Sequence, residues 1–223
     1  MRYPFFVVGL VLSSSIAQAS VVVGGTRLVF DGTKNNAVIS VENKDQNSNI
    51  VQSWLSVVDA ASPAKDAFII TPPLFVLNPA NENLLRIMYI GAPLAKDRET
   101  LFFTSVRAVP STTKREEGNT LKIATQSVIK LFWRPKGLAY PLGEAPAKLR
   151  CTSSADMVTV SNPTPYFITL TDLKIGGKVV KNQMISPFDK YQFSLPKGAK
   201  NSSVTYRTIN DYGAETPQLN CKS

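Results

Sequence analysis

The sequence predicts an all-β protein built as two sandwich domains, and three observations carry that reading. Short runs rich in β-branched and aromatic residues recur along the chain, separated by polar or turn-forming segments. No segment shows a convincing helical period. The rhythm breaks at Arg134-Pro135-Lys136-Gly137, stays turn-rich through Pro141-Leu142-Gly143 and Pro146, and then resumes. The expected division is a signal peptide over 1–19, a first sandwich over 20–138 and a smaller second one over 139–223.

At the start, Met1-Arg2 precedes the apolar stretch Phe5-Phe6-Val7-Val8-Gly9-Leu10-Val11-Leu12, and small and polar residues lead to Ala17-Gln18-Ala19. A positive end, an apolar stretch and an A-x-A site mark a secretory signal peptide, with cleavage expected after Ala19. A spanning helix needs about 20 apolar residues, so this run is too short to anchor the chain. No later stretch could cross a bilayer either, and no membrane insertion is expected. The mature protein is therefore expected outside the cytoplasm. In an oxidising compartment, Cys151 and Cys221 are most simply one disulfide. Closing a loop of about 70 residues would stabilise the second half by roughly 4 kcal/mol in the chain-entropy model.

In the first domain, residues 26–30, 37–41, 51–58, 84–90, 101–109 and 121–133 read as strands. Turn signals separate them at Asp31-Gly32, at residues 43–49, at Thr71-Pro72-Pro73, at Asn78-Pro79 and at Glu117-Gly118-Asn119. In the second domain, residues 157–160, 166–173, 178–180, 191–195 and 204–209 read as short strands. About 80 residues is a marginal size for a lone sandwich, which gives the disulfide weight.

Composition removes most enzyme classes. The chain has no histidine, so it holds no Ser-His-Asp or Cys-His arrangement and no histidine-ligated metal. Two cysteines alone cannot complete a four-cysteine zinc site. No catalytic residue, metal or cofactor is expected. Lys+Arg 25 against Asp+Glu 16 gives +9; losing Arg2 with the leader leaves 24 against 16, or +8. Basic residues are spread over both halves, which argues against a nucleic-acid partner.

The most informative segment runs from Leu121 to Arg134. Its first half alternates, with Leu121 and Ile123 on one face and Lys122, Ala124 and Gln126 on the other. Its second half is apolar on both faces apart from Lys130, the mark of a central strand. Leu121 and Ile123 fit either ordinary core positions or side chains offered at an edge, and periodicity leaves both open. Ser127 and Lys130 match S-x-x-K, but in a strand that offset sends them to opposite faces, and neither S-D-N nor K-T-G occurs elsewhere. Lys130, inside an apolar strand, needs a polar environment or a partner. As isolated charges, Arg27, Glu99, Arg134 and Asp211 carry no signal. Lys114-Arg115-Glu116-Glu117 reads as a solvated loop, and Asn201-Ser202-Ser203 as a chance glycosylation match.

Six segments taken together resemble one family. They are Thr26-Arg27-Leu28-Val29-Phe30-Asp31-Gly32, Thr71-Pro72-Pro73, Asp97-Arg98-Glu99, Ile129-Lys130-Leu131-Phe132-Trp133-Arg134-Pro135, Ser161-Asn162-Pro163-Thr164-Pro165-Tyr166 and Ile209-Asn210-Asp211-Tyr212-Gly213. In this order, behind a signal peptide, they resemble the periplasmic pilus-assembly chaperones of the chaperone–usher pathway, the PapD-like family.

The resemblance implies two immunoglobulin-like sandwiches in an L or boomerang arrangement. It also implies a periplasmic chaperone that binds and folds fimbrial subunits by donor-strand complementation and delivers them to an outer-membrane usher. By the same resemblance, Arg27 and Lys130 anchor the subunit's C-terminal carboxylate, and Leu121, Ile123 and Thr125 are donor positions on a strand ending at Lys130. Thr125 departs from the large apolar residue usual at the third donor position. Glu99, Arg134 and Asp211 map onto an interdomain salt-bridge cluster. The short connection between Val109 and Leu121 resembles the subfamily serving rod-like pili. The competing expectation is a secreted two-domain immunoglobulin-like adhesin or structural pilus component.

Overall fold

The computed structural model describes residues 21–58, 62–111, 121, 123–154, 156–199 and 203–222. The signal peptide with its cleavage site, the Lys114–Glu117 segment, the turn at Glu117-Gly118-Asn119, Lys122 and Asn201-Ser202 lie outside the described residues.

The first domain carries nine strands: β1 (Val21–Val23), β2 (Arg27–Asp31), β3 (Asn36–Asn43), β4 (Asn49–Val57), β5 (Phe68–Thr71), β6 (Leu74–Leu77), β7 (Glu82–Tyr89), β8 (Thr100–Pro110) and β9 (Thr125–Arg134). One sheet is ordered β1-β3-β7-β5 and the other β2-β9-β8-β4-β6. Alternation decides which side chains meet between them. Ile39 and Val41 of β3 and Leu85 and Ile87 of β7 are buried, against Val51, Val106 and Leu131 from the second sheet. An aromatic cluster of Phe30, Phe68, Phe102 and Trp133 fills one end of the interior.

The second domain adds β10 (Arg150–Ser154), β11 (Met157–Ser161), β12 (Ile168–Ile175), β13 (Lys178–Val179), β14 (Gln183–Ile185), β15 (Lys190–Ser194), β16 (Val204–Thr208) and β17 (Leu219–Asn220). Its sheets are β10-β11-β15 and β13-β12-β16-β17, with β14 also on β12. Leu170, Leu173, Ile175 and Tyr206 form its fully buried centre. Cys151 and Cys221 are joined, with their Cα atoms 5.8 Å apart. The bond ties β10 to the chain's end, where Cys151 N–H also donates to Lys222 O at 2.7 Å.

The long strands stand where their hydrophobic pattern places them. Several short ones, β1, β5, β6, β10, β14 and β17, have no counterpart among the expected runs. Two 3-10 turns, Pro63–Asp66 and Leu142–Lys148, likewise have no counterpart among the expected elements. One boundary needs correction: the strand expected from residue 121 begins at Thr125, and it continues past Lys130 to Arg134. Leu121 and Ile123 precede it and have no sheet partner among the described residues.

Candidate functional site

Two strands and one loop build the site. β9 pairs with β8 in antiparallel register over all but its last residue, from Thr125↔Ala108 to Trp133↔Thr100. On its other side β9 meets β2 in parallel, but only from Lys130↔Arg27 to Arg134↔Asp31. β9 is therefore central from Lys130 onward, as its doubly apolar second half predicts. From Thr125 to Ile129 one edge carries no sheet partner among the described residues. Backbone groups along such an edge are a template for another strand.

The two faces of β9 do different things. Ile129, Leu131 and Trp133 enter the first-domain core. On the even-numbered face, Phe132 turns to the second domain, its ring 5.6 Å from that of Phe167. Lys130 lies on that same face, whereas Leu121 and Ile123 precede β9, so the strand's alternation does not set which way they point. Those two side chains are 85 % and 66 % exposed, so the ordinary-core alternative for them is wrong. Thr125 is exposed as well.

Arg27 and Lys130 sit opposite each other, and paired strand residues project to one side of a sheet. The Arg27 guanidinium lies 5.8 Å from the Phe132 ring centre, and its Nη1 donates to the Ile209 carbonyl at 3.3 Å. Its Nε is buried without a partner. Lys130 has no hydrogen bond or ion pair within the described residues. Burial, then the charge of Arg27, pulls the Lys130 ammonium below its ordinary range. Burial also lowers Arg27, against the attraction of Asp211 and Glu99. Two cations side by side, one with a spare buried donor, make a place for an anion.

Below this pair, Arg134 answers two carboxylates. Its Nε donates to Glu99 Oε1 at 2.7 Å, and its Nη1 and Nη2 donate to the two oxygens of Asp211 at 2.6 and 2.8 Å. Glu99 Oε2 accepts from Phe167 N–H at 2.8 Å. Glu99 comes from the first domain and Asp211 from the loop after β16, so the expected cluster is assembled across the two sandwiches. Burial works against the Arg134 charge, but the hydrogen bonds and charges of Asp211 and Glu99 outweigh it and hold the guanidinium firmly protonated. Burial pushes the Glu99 carboxyl up, despite Arg134 and the Phe167 N–H. The opposite outcomes follow from geometry: Arg134 meets two carboxylates, whereas the Glu99 side chain is 2 % exposed and bears the larger desolvation.

The Ile209–Gly213 segment is shaped by its own residues. Asn210 Oδ1 accepts from the N–H groups of Tyr212 and Ala214, both at 3.0 Å. Gly213 has φ +84°, and a Cβ there would lie 2.4 Å from Thr26 Oγ1. Gly32 is similarly confined, since its Cβ would meet the Arg134 carbonyl at 2.8 Å. Glycines at these two places let the loop and the first strand close onto the opposite domain and the hinge. The result is a cleft of about 320 Å³ lined by Arg27, Phe132, Arg134, Phe167, Ile209 and Tyr212 among others.

Sequence reasoning missed Phe132, Phe167, the Ile209 carbonyl and Tyr212 as cleft residues. A strand residue's neighbour in another domain leaves no local signal. The Ser161–Tyr166 segment proves structural: Asn162 is 1 % exposed, its Nδ2 donates to Tyr166 O at 2.7 Å, and its Oδ1 accepts from Thr164 N and Oγ1.

Residues 20–139 match the family described as pili and flagellar-assembly chaperone, PapD N-terminal domain, and residues 144–219 match the pili assembly chaperone PapD, C-terminal domain. The chain belongs to the PapD-like pilus-assembly chaperones. Among relatives, the probable fimbrial chaperone protein ElfD of Escherichia coli strain K12 is 78% identical over 219 residues, covering 96% of this chain and 93% of that protein. The crystal structure of the periplasmic chaperone SfaE superposes with a TM-score of 0.77 at 38% identity, covering 91% of this chain and all of that one. A chain from the Salmonella enterica SafA pilin in complex with the SafB chaperone superposes with a TM-score of 0.81 at 27% identity, covering 95% of this chain and all of that one. The PapD-like family is one of chaperones, not enzymes, and its immunoglobulin-like fold is the one described above.

Proposed function

We propose that this PapD-like chaperone works in the periplasm and captures a fimbrial subunit by lending it the free edge of β9. In this reading the subunit's C-terminal carboxylate is held between Arg27 and Lys130. The observation that carries it is the step in pairing at Lys130. There the open edge of β9 ends against β2, and the two cations stand at the junction. A strand lying along Thr125–Ile129 with its chain end at Lys130 must run in the same direction as β9. Main-chain hydrogen bonds would supply affinity that tolerates many sequences, and the anchored carboxylate would set the register. The exposed Leu121 and Ile123, followed by the smaller Thr125, would be the side chains offered to the subunit.

Support comes from SafB, a chaperone of this fold solved in complex with a pilin. The Glu99–Arg134–Asp211 cluster would keep the two sandwiches in a fixed L arrangement around the cleft, and the loaded chaperone would pass its subunit to an outer-membrane usher. The test uses a synthetic peptide copying the C-terminal strand of a co-expressed pilin, as free acid and as amide. The acid is expected to bind about 30-fold or more tightly, the scale for truncating a charged, hydrogen-bonded partner. Equal binding of the two forms would overturn the anchor assignment.

A further inference from the structure

Tyr212 is 95 % exposed, yet it stands on a loop held on both sides. Its own N–H is tied to Asn210 Oδ1. Asp211 before it is held by two hydrogen bonds to Arg134, and Gly213 after it closes against Thr26. Its ring contacts no other ring among the described residues, but it borders the same cleft as Arg27 and Phe132. Neither the fold nor the salt-bridge cluster makes use of that ring. A bare aromatic on a rigid support has little freedom left to lose on binding, which is what interface anchors require.

We infer that Tyr212 is a side-chain contact for the captured subunit, packing its ring on an apolar or aromatic side chain within the subunit's last two residues. The inference rests on the carboxylate-anchor reading and adds a preference that the anchor cannot supply. The Arg27–Lys130 pair recognises a chain end of any sequence. Tyr212 distinguishes one chain end from another. Successive strand side chains alternate between faces, so with the carboxylate at Lys130 one of the last two must look toward the even-numbered face of β9, where the cleft and Tyr212 lie. The chemistry selected is a large flat or branched apolar group, since the ring offers a face for packing and its hydroxyl is already free to water.

The mature protein and its Tyr212→Ser and Tyr212→Phe variants would be titrated with strand peptides of one sequence that end Gly-Gly, Phe-Gly or Gly-Phe, each as free acid and amide. Wild type is expected to bind one Phe-containing acid about three- to tenfold more tightly than the Gly-Gly acid, the usual scale for an aromatic pair. Tyr212→Ser should remove that preference while keeping the acid-over-amide discrimination and the unfolding temperature. Tyr212→Phe should behave as wild type. If wild type discriminates acid from amide but Tyr212→Ser leaves the Phe preference intact, or weakens Gly-Gly just as much, the inference fails and the anchor stands. If wild type does not discriminate acid from amide, the anchor reading fails and takes this inference with it.

Discussion

Lys130 and Arg27 are directly opposed at the first paired position of the parallel β2–β9 ladder, so the open edge of β9 ends at two neighbouring positive charges. Like charges placed opposite each other in a sheet work against folding unless a counter-charge arrives. The two are not equivalent in the free protein, because Arg27 already donates to Ile209 O while Lys130 has no partner within the described residues.

Replacing Lys130 with methionine is therefore expected to leave the unfolding temperature unchanged or higher, while stable subunit complexes are lost. Arg27→Ala should show the same loss with a small fall in stability from the missing Ile209 contact. The double variant should be scarcely worse than either single one, because both residues act on one carboxylate. Pull-down of periplasmic subunit together with thermal unfolding checks all three. Strictly additive losses would count against a shared ligand.

The same pair gives binding a pH dependence whose sign is fixed. Lys130 titrates below its ordinary 10.5, through burial and then through Arg27. Between the lowered value and 10.5 the unfolded chain binds more protons than the folded one, so in that window this group makes stability rise with pH. Carboxylate binding needs the charged form, so subunit affinity should fall as pH climbs through the same window. Lys130→Met should flatten both profiles. An affinity that stays level in wild type up to pH 10.5 would show that Lys130 does not touch the ligand.

Arg134→Ala should be the most damaging single change in the cluster. It strands Glu99, whose side chain is 2 % exposed, and removal of one partner from a buried pair costs about 3–5 kcal/mol. Asp211→Ala should cost less, because Asp211 is 33 % exposed and Arg134 keeps Glu99. Denaturant unfolding of the two variants measures the order, and an equal loss would mean that burial is not what sets it.

Leu121 and Ile123 are exposed, so replacing both with asparagine should leave the unfolding transition where it is. Subunit capture should weaken sharply, since burying each such side chain in a partner is worth about 1.5–3 kcal/mol. Titration of a refolding subunit against each chaperone would show it. Capture at wild-type strength would remove these residues from the donor role.

Replacing Cys151 and Cys221 with serine should lower second-domain stability by about 4 kcal/mol, given the sequence separation of 70. The first-domain aromatic fluorescence transition, reported by Trp54 and Trp133, should hardly move. A common shift of both domains would show that their unfolding is coupled through the Glu99–Arg134–Asp211 contacts.

What the sequence made legible follows range. Long strands such as β4 and β8 announce themselves because alternation over several residues repeats one physical fact, burial of one face. β1 and β17 are too short to repeat anything, and their existence depends on partners far along the chain. The start of β9 differs from expectation for a related reason: residues 121, 123 and 125 alternate with polar or small ones, but periodicity does not say whether a partner strand is present. Arg27, Glu99, Arg134 and Asp211 carried no signal alone and came to notice only through family resemblance, since their meaning lies in distances across two domains. Tyr212 lies inside the Ile209–Gly213 segment but carries no signal of its own, because exposure is a property of the fold and not of the residue.

The arrival of β2 beside Lys130 has one last consequence. From that residue onward the edge of β9 is occupied, so an added strand can run along Thr125–Ile129 and must then stop. A polypeptide continuing straight along the edge beyond this point would meet Arg27 and the rest of β2. If β9 lends that edge, a strand that ends at Lys130 fits without a turn, whereas an internal segment has to bend away from the sheet there. The backbone arrangement alone would then favour chain ends over internal strands, before any side chain is compared.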